Sequence, residues 1–449
     1  MIRAGATLVT GLLLLAAAAI AADRPAVGSE LERAKAAFAA GRHVEALDAA
    51  RRAADSAPAS LPAVLLRASI AEFMGEFDEA ATYYGKATTL APNDPDVIYR
   101  NASFAVRVGA YDRALANLDR LLRLHPWPIR WLFAWGPSRI QPALVTQYPL
   151  LVQIVQAQID ILMEKGDLAR ARTLALAHGI VQPDRNYCND ARGKAGQVSS
   201  DETFHIFRLA ALAQPDAADC IWWYGQWLTD EGFVRLGRLM VAEGTRVTPS
   251  AGNKASGAAY LRVRLGGDRE VSKRAEQLFL IARQRYLRDG DVEGATRLFE
   301  EAMRLSPRFV RPYHYRAQIA WDGGDDAGAV TWLERALQVD PESWRTHRNL
   351  GRLLGRLERF PAAETELTTA VGLFGDDAGG RLALARVLYA QGKYAEYARE
   401  TSAALAFFKR YGQELPETRD FLARHERWGP GVGVPPAPDP PVIMGWNYD

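Results

Sequence analysis

The chain has 449 residues, 48% of them apolar and 24% charged, with a net charge of +2 at neutral pH. That length is large for one compact core, a limit that stacked repeats escape because each unit contacts only its neighbours. A charge this balanced argues against a general nucleic-acid or membrane-surface binder, which would carry a marked basic excess.

Met1 to Arg3 carry one positive charge, and Ala4 to Ala22 carry none, with the run Leu12 to Leu15 inside. Ala19-Ile20-Ala21 supplies the small-x-small pattern of a cleavage site, so residues 1–21 read as a signal peptide. An uncleaved N-terminal membrane anchor is the competing reading, since 19 uncharged residues approach the span of a bilayer. No other stretch is apolar enough to cross one. The mature protein is therefore expected to be exported, periplasmic or extracellular, with no stable membrane span after cleavage.

Residues 27–128 carry a pattern on a fixed clock. Gly41, Ala46, Ala53 and Pro58 recur 34 residues on as Gly75, Ala80, Ala87 and Pro92, then as Gly109, Ala114, Leu121 and Pro126. This predicts three helix–turn–helix units, with second helices starting near His43, Phe77 and Tyr111. The clock then breaks: Gly166 and Ala171 resume it only after an insertion of 23 residues. Residues 129–184 thus read as an aromatic insertion plus a degenerate unit. The insertion sets Trp127, Trp131, Phe133 and Trp135 among prolines, as an aromatic recognition platform or as a plug folded onto the stack.

Residues 185–275 show no such phase. Asn186 to Ser200 reads as loop, and Ser199-x-x-Glu202 as a capping box opening a helix through Ala213. A further helix is expected from near Asp216, carrying Trp222, Trp223 and Trp227, and another loop from Thr245 to Ser256. Eroded repeats and a short helical insert both remain open readings of this region. In residues 276–411 the clock returns over four units. Gly290, Ala295, Phe299, Ala302 and Pro307 recur as Gly324, Ala329, Leu333, Ala336 and Pro341. Ala363, Leu367 and Ala370 keep phase, with Glu358 in the glycine slot, and a looser unit runs from Gly392 to Ala404 with Tyr397 in an alanine slot. A helix over 412–428 and a Pro-rich tail over 429–449 close the chain. The tail ends in Val442 to Asp449, an apolar, aromatic stretch that reads as a docking peptide, a strap across this protein's own groove, or disordered leftover.

With glycine, alanine and proline in these slots, the chain resembles tetratricopeptide-repeat proteins. Ala317 and Gly351 stand on first helices where such helices approach closely, and Ala329 and Ala363 on second helices. The resemblance implies an all-α fold, a right-handed α-solenoid of helix pairs, with stacks at 27–184 and 276–411 joined by a helical insert. It also implies that one face of the first helices lines a concave groove.

Catalytic signatures are not found. There is no HExxH, no P-loop and no G-x-S-x-G, and the seven histidines are scattered. No enzyme activity, metal or cofactor is therefore expected. Cys188 and Cys220 form a lone pair in an exported chain and are expected to bridge; buried free thiols are the alternative. One constellation stands out. Arg345, Arg348, Arg352 and Arg356 recur at steps of three, four and four, which places them on one helical face. Asn349 stands beside Arg348, and neighbouring first helices offer Arg311, His314 and Gln318 on one side and Arg386 on the other.

By the resemblance, this face lines the groove, where basic residues with an asparagine can clamp a partner's carboxylates; the lysine–asparagine spacing of known clamps is not reproduced, so the resemblance fixes the face and not the ligand. A solvated face neutralised by nearby glutamates is the alternative. The reading is an exported, non-catalytic scaffold binding a protein partner through an acidic or carboxylate-terminated segment, with no nucleic acid. A structural accessory of an envelope or polysaccharide-export assembly is the second reading, and an enzyme using the central insert the third. The sequence is silent on oligomeric state.

Overall fold

A computed structural model describes residues 25–124, 149–182, 185–194, 200–263, 265–375 and 377–411. The expected signal peptide, the aromatic stretch 127–146, the helix over 412–428 and the tail lie outside the described residues. Among the described residues the structure is helical, with no strand, and no helix is long and apolar enough to cross a membrane.

The chain divides into two compact units. The first holds α1 (Pro25–Ala39), α2 (His43–Ser56), α3 (Leu61–Phe73), α4 (Phe77–Leu90), α5 (Pro95–Arg107) and α6 (Tyr111–Leu124). Each helix packs on the next in chain order. The glycine slots do what the clock requires. Gly41, Gly75 and Gly109 take φ of 75°, 79° and 80°, left-handed values that favour glycine. The chain reverses there through backbone bonds that close the first helix, Arg42 N–H to Ala37 O and Glu76 N–H to Ala71 O, both 2.9 Å. Ala46, Ala53, Ala80, Ala87 and Ala114 are fully buried, so small residues sit where the helices cross.

α7 (Pro149–Glu164) and α8 (Leu168–Ala177) form the pair announced by Gly166 and Ala171. α7 packs on α6, where the Gln158 amide donates to Asp119 at 2.9 Å and Tyr111 Oη to Glu164 at 3.2 Å. Two expected loops are shorter than the composition suggests. Within 186–200 the chain forms α9 (Tyr187–Lys194), opened by the Asn186 side chain accepting Asn189 N–H at 3.0 Å. Within 245–256, α12 (Val234–Val247) runs on and α13 (Ala251–Val263) begins, with Ser250 Oγ accepting Asn253 N–H at 3.3 Å. Short polar residues here cap helices rather than make loops.

α10 (Ser200–Ala213) starts where the capping-box pattern places it. α11 (Ala218–Asp230) and α12 have the same 13- and 14-residue lengths as α3 and α4, and a left-handed Gly232 (φ 92°) stands between them. Gly225, Gly237 and Gly244 occupy the slots that small residues fill elsewhere. A Cβ on Gly237 would meet Thr229 Cγ2 at 2.5 Å, and one on Gly225 would meet Val241 N at 2.5 Å. The helices approach closer here than alanine would permit.

The second unit contains α13, part of α14 (Lys273–Gln284), a π turn at 285–289, then α15 (Val292–Leu305), α16 (Val310–Asp322) and α17 (Asp326–Val339). It continues with α18 (Trp344–Arg356), α19 (Phe360–Leu373), α20 (Ala378–Ala390) and α21 (Tyr394–Tyr411). From α15 onward each helix packs on the next. Their core joins Leu333, Leu350, Leu353, Leu367, Leu382 and Leu388. Tyr397, the oversized residue in an alanine slot, is fully buried and meets Tyr389 edge-on at 5.3 Å. Gly351 is required by packing, since a Cβ there would lie 2.6 Å from Leu367 Cγ. Glu358, in the glycine slot, takes the left-handed conformation nonetheless, at φ 57°.

Candidate partner-binding face

A residue on one first helix finds its equivalent 34 positions on. Arg311 pairs with Arg345 in this sense, His314 with Arg348, and Gln318 with Arg352 and then Arg386. The predicted site residues thus come from corresponding positions of α16, α18 and α20. The structure sets them in two groups.

The first group is buried. Arg311 Nε donates to Asp268 at 3.0 Å, and both side chains are buried. His314 Nε2 lies 2.7 Å from Thr346 Oγ1, which in turn donates to Ser343 Oγ at 2.7 Å. Burial, and then the charges of Arg345, Arg311 and Arg348, pull the His314 pKa down to about 3, so the ring is neutral. Arg348 Nη1 lies 3.4 Å from Asp377 Oδ1 in another buried ion pair. Its guanidinium carbon sits 4.8 Å from the centre of the Trp344 ring, over which Arg345 also lies, at 5.6 Å. Cation and ring attract at such distances. Asn349 is 1% exposed, and neither atom of its amide makes a hydrogen bond.

The second group lies nearer solvent. Arg352 is half-buried, with Nη2 3.5 Å from Gly379 O; burial first, then Arg348, lowers its pKa to about 10, which leaves it charged at neutral pH. Arg356 is exposed and sits 4.4 Å from the Trp321 ring centre. Arg386 is half-buried beside Arg352 and Arg356 along one pocket. Gln318 donates to Asp322, which also accepts Tyr286 Oη.

Helical spacing alone puts Arg345 and Arg348 on the groove face. Both are buried, at 7% and 5% exposure, so they hold structure as well as charge. Asp268, Asp377, Trp344 and Thr346 are partners that sequence reasoning missed. Asp377 had a signal: it stands 34 residues after Ser343, and each immediately precedes a first helix. Asp268 had none, because it lies in a stretch without periodicity. Away from this face, Cys188 and Cys220 are joined, with Cα atoms 5.8 Å apart, which ties α9 to α11. Among the described residues no group of three or more metal-ligating side chains converges.

Profiles described as "Tetratricopeptide repeat" match residues 61–94, 284–343 and 348–412. "Protein CTR9 homolog" of Arabidopsis thaliana is 23% identical over 391 residues, 84% of this chain. The chain spans 28% of the length of that relative. Among solved structures, yeast Tom70 is 12% identical with a TM-score of 0.35, over 89% of this chain and 95% of the other. The anaphase-promoting-complex hetero-tetramer Cut9–Hcn1 is 13% identical with a TM-score of 0.29, over 90% and 96% of the two chains. The glycine turns, the buried alanines and the family profiles agree on one statement: the chain carries tetratricopeptide repeats, at 61–94, 284–343 and 348–412.

Proposed function

We propose that this chain is an exported, non-catalytic scaffold that binds an acidic or carboxylate-terminated segment of a partner protein along the first-helix face of its second unit. The observation that carries the reading is that Arg352, Arg356 and Arg386, from α18 and α20, line one pocket. A partner's carboxylate there accepts from the guanidinium groups of Arg352 and Arg386. Export rests on the uncharged run Ala4 to Ala22 and its cleavage pattern.

The test uses the half-buried arginines, because truncating Arg348 would strand the Asp377 carboxylate. The full chain, with and without Arg352→Gln plus Arg386→Gln, is titrated with a fluorescent glutamate-rich peptide. The double variant should bind about tenfold more weakly, and binding to the unmodified chain should weaken with salt, as screening acts within about 8–10 Å. Equal affinities, or no salt dependence, would remove the proposal.

A further inference from the structure

We infer that the cavity between α18, α19 and α20 receives a large apolar side chain of the same partner segment, and that Glu358 decides which side chain enters. The inference rests on the anion-binding reading above. The cavity has a volume of about 300 Å³. That is at the small end of the roughly 300–1,000 Å³ typical of ligand pockets, enough for one large side chain and its flanking backbone.

Its floor is apolar. Leu367, Ala383 and Val387 belong to the core and are 0%, 3% and 4% exposed, and the half-buried Phe360 packs against them. Its rim is ionic, built from Arg352, Arg356 and Arg386 with Glu358. An apolar floor under a cationic rim fits neither a purely acidic nor a purely apolar segment. An acidic side chain in the cavity leaves the floor without apolar cover, and an apolar segment strips water from the arginines with nothing in return. A carboxylate one residue from a large apolar side chain satisfies both.

Glu358 supplies a second, independent mark. The same slot holds Gly290, Gly324 and Gly392 in the other units, at φ 66°, 79° and 74°. Glu358 adopts φ 57° although L-residues resist that region, and it does so at the turn that lines the cavity. The left-handed turn belongs to every unit; what is particular to this one is that an acidic residue occupies it, at the cavity's rim. A carboxylate on the rim repels a second carboxylate, so it keeps the partner's acidic groups on the Arg352 and Arg386 side and leaves the floor to the apolar one.

The experiment titrates the full chain with three fluorescent peptides of one Gly/Ser/Glu frame, carrying leucine, alanine or glutamate at the central position. The leucine peptide should bind about tenfold more tightly than the alanine peptide, from the methylenes it buries. Ala390→Trp, at the exposed rim, should equalise these two by filling the mouth. Glu358→Gln should raise the affinity of the glutamate peptide selectively. Equal affinity of the unmodified chain for the leucine and alanine peptides would overturn the pocket inference while leaving the anion reading in place. Binding of none of the three would overturn both.

Discussion

Glu358→Gly isolates the energetic consequence of the left-handed turn. At φ 57°, Glu358 N–H bonds Gly355 O at 3.3 Å and Arg359 N–H closes the helix on Leu354 O at 2.9 Å. An L-residue in this conformation carries a penalty of about 1–2 kcal/mol. Glycine relieves it but loses about 0.5–1 kcal/mol more backbone entropy on folding than a residue with a Cβ. The Glu358 side chain is exposed, so its removal deletes no packed group. The net expectation is a gain of roughly 0.5–1 kcal/mol. The matched control is Gly324→Ala, one unit earlier: φ is 79° and a Cβ there would meet nothing within 4 Å, so only conformation is perturbed. That variant should lose roughly 0.5–1 kcal/mol, the same two terms with the opposite sign. Urea titrations followed by tryptophan fluorescence should move the two midpoints in opposite directions, while Glu358→Gly loses selectivity against the glutamate peptide. A lower midpoint for Glu358→Gly would refute the reasoning, since it would mean the Glu358 side chain stabilises the fold by more than its backbone costs.

Five further outcomes are expected. Gly237→Ala forces a Cβ to within 2.5 Å of Thr229 Cγ2 and 2.8 Å of Gly225 O, and should destabilise by about 1–3 kcal/mol. Gly85→Ala, with open space at its Cβ, should stabilise by about 0.5–1 kcal/mol; calorimetry on the pair decides it. His314 has a folded pKa held near 3, below its unfolded value, so its contribution is complete above about pH 6.5 and lost as pH falls toward 3. The slope is up to about 1.4 kcal/mol per pH unit, and it should be absent from denaturation midpoints of His314→Gln measured across that window. Removing the Cys188–Cys220 bridge, which closes a separation of 32 residues, should cost about 3–4 kcal/mol, and non-reducing peptide mapping should recover the two joined peptides. Mass spectrometry of protein from the envelope should find Ala22 or Asp23 as the first residue; retained Met1 would mean an anchor.

What could be read in the sequence follows from how few residue types each position tolerates. Turn slots were the plainest, because glycine alone takes left-handed backbone cheaply, so Gly41, Gly75, Gly109, Gly290 and Gly324 declare the period. The helix near Asp216 was legible, but the repeat-like pairing at 218–247 escaped because glycine fills its close-contact slots: Gly225, Gly237 and Gly244 fit the packing more tightly than alanine, yet break the alanine pattern being sought. Charge was harder still. Steps of three and four within α18 gather Arg345, Arg348, Arg352 and Arg356, but that rule sees one helix and treats the far side as water. The acids that meet the stripe lie 43 residues before Arg311 and 29 after Arg348. In a stacked chain the neighbour of a first-helix residue is found on the next helix pair, near one period away, not one turn away. Applied to Ser343, that rule leads to Asp377 and so to the buried pair with Arg348, from sequence alone. It leads nowhere for Asp268, whose segment keeps no period, and a packed irregular segment of that kind is where three-dimensional structure adds what spacing cannot.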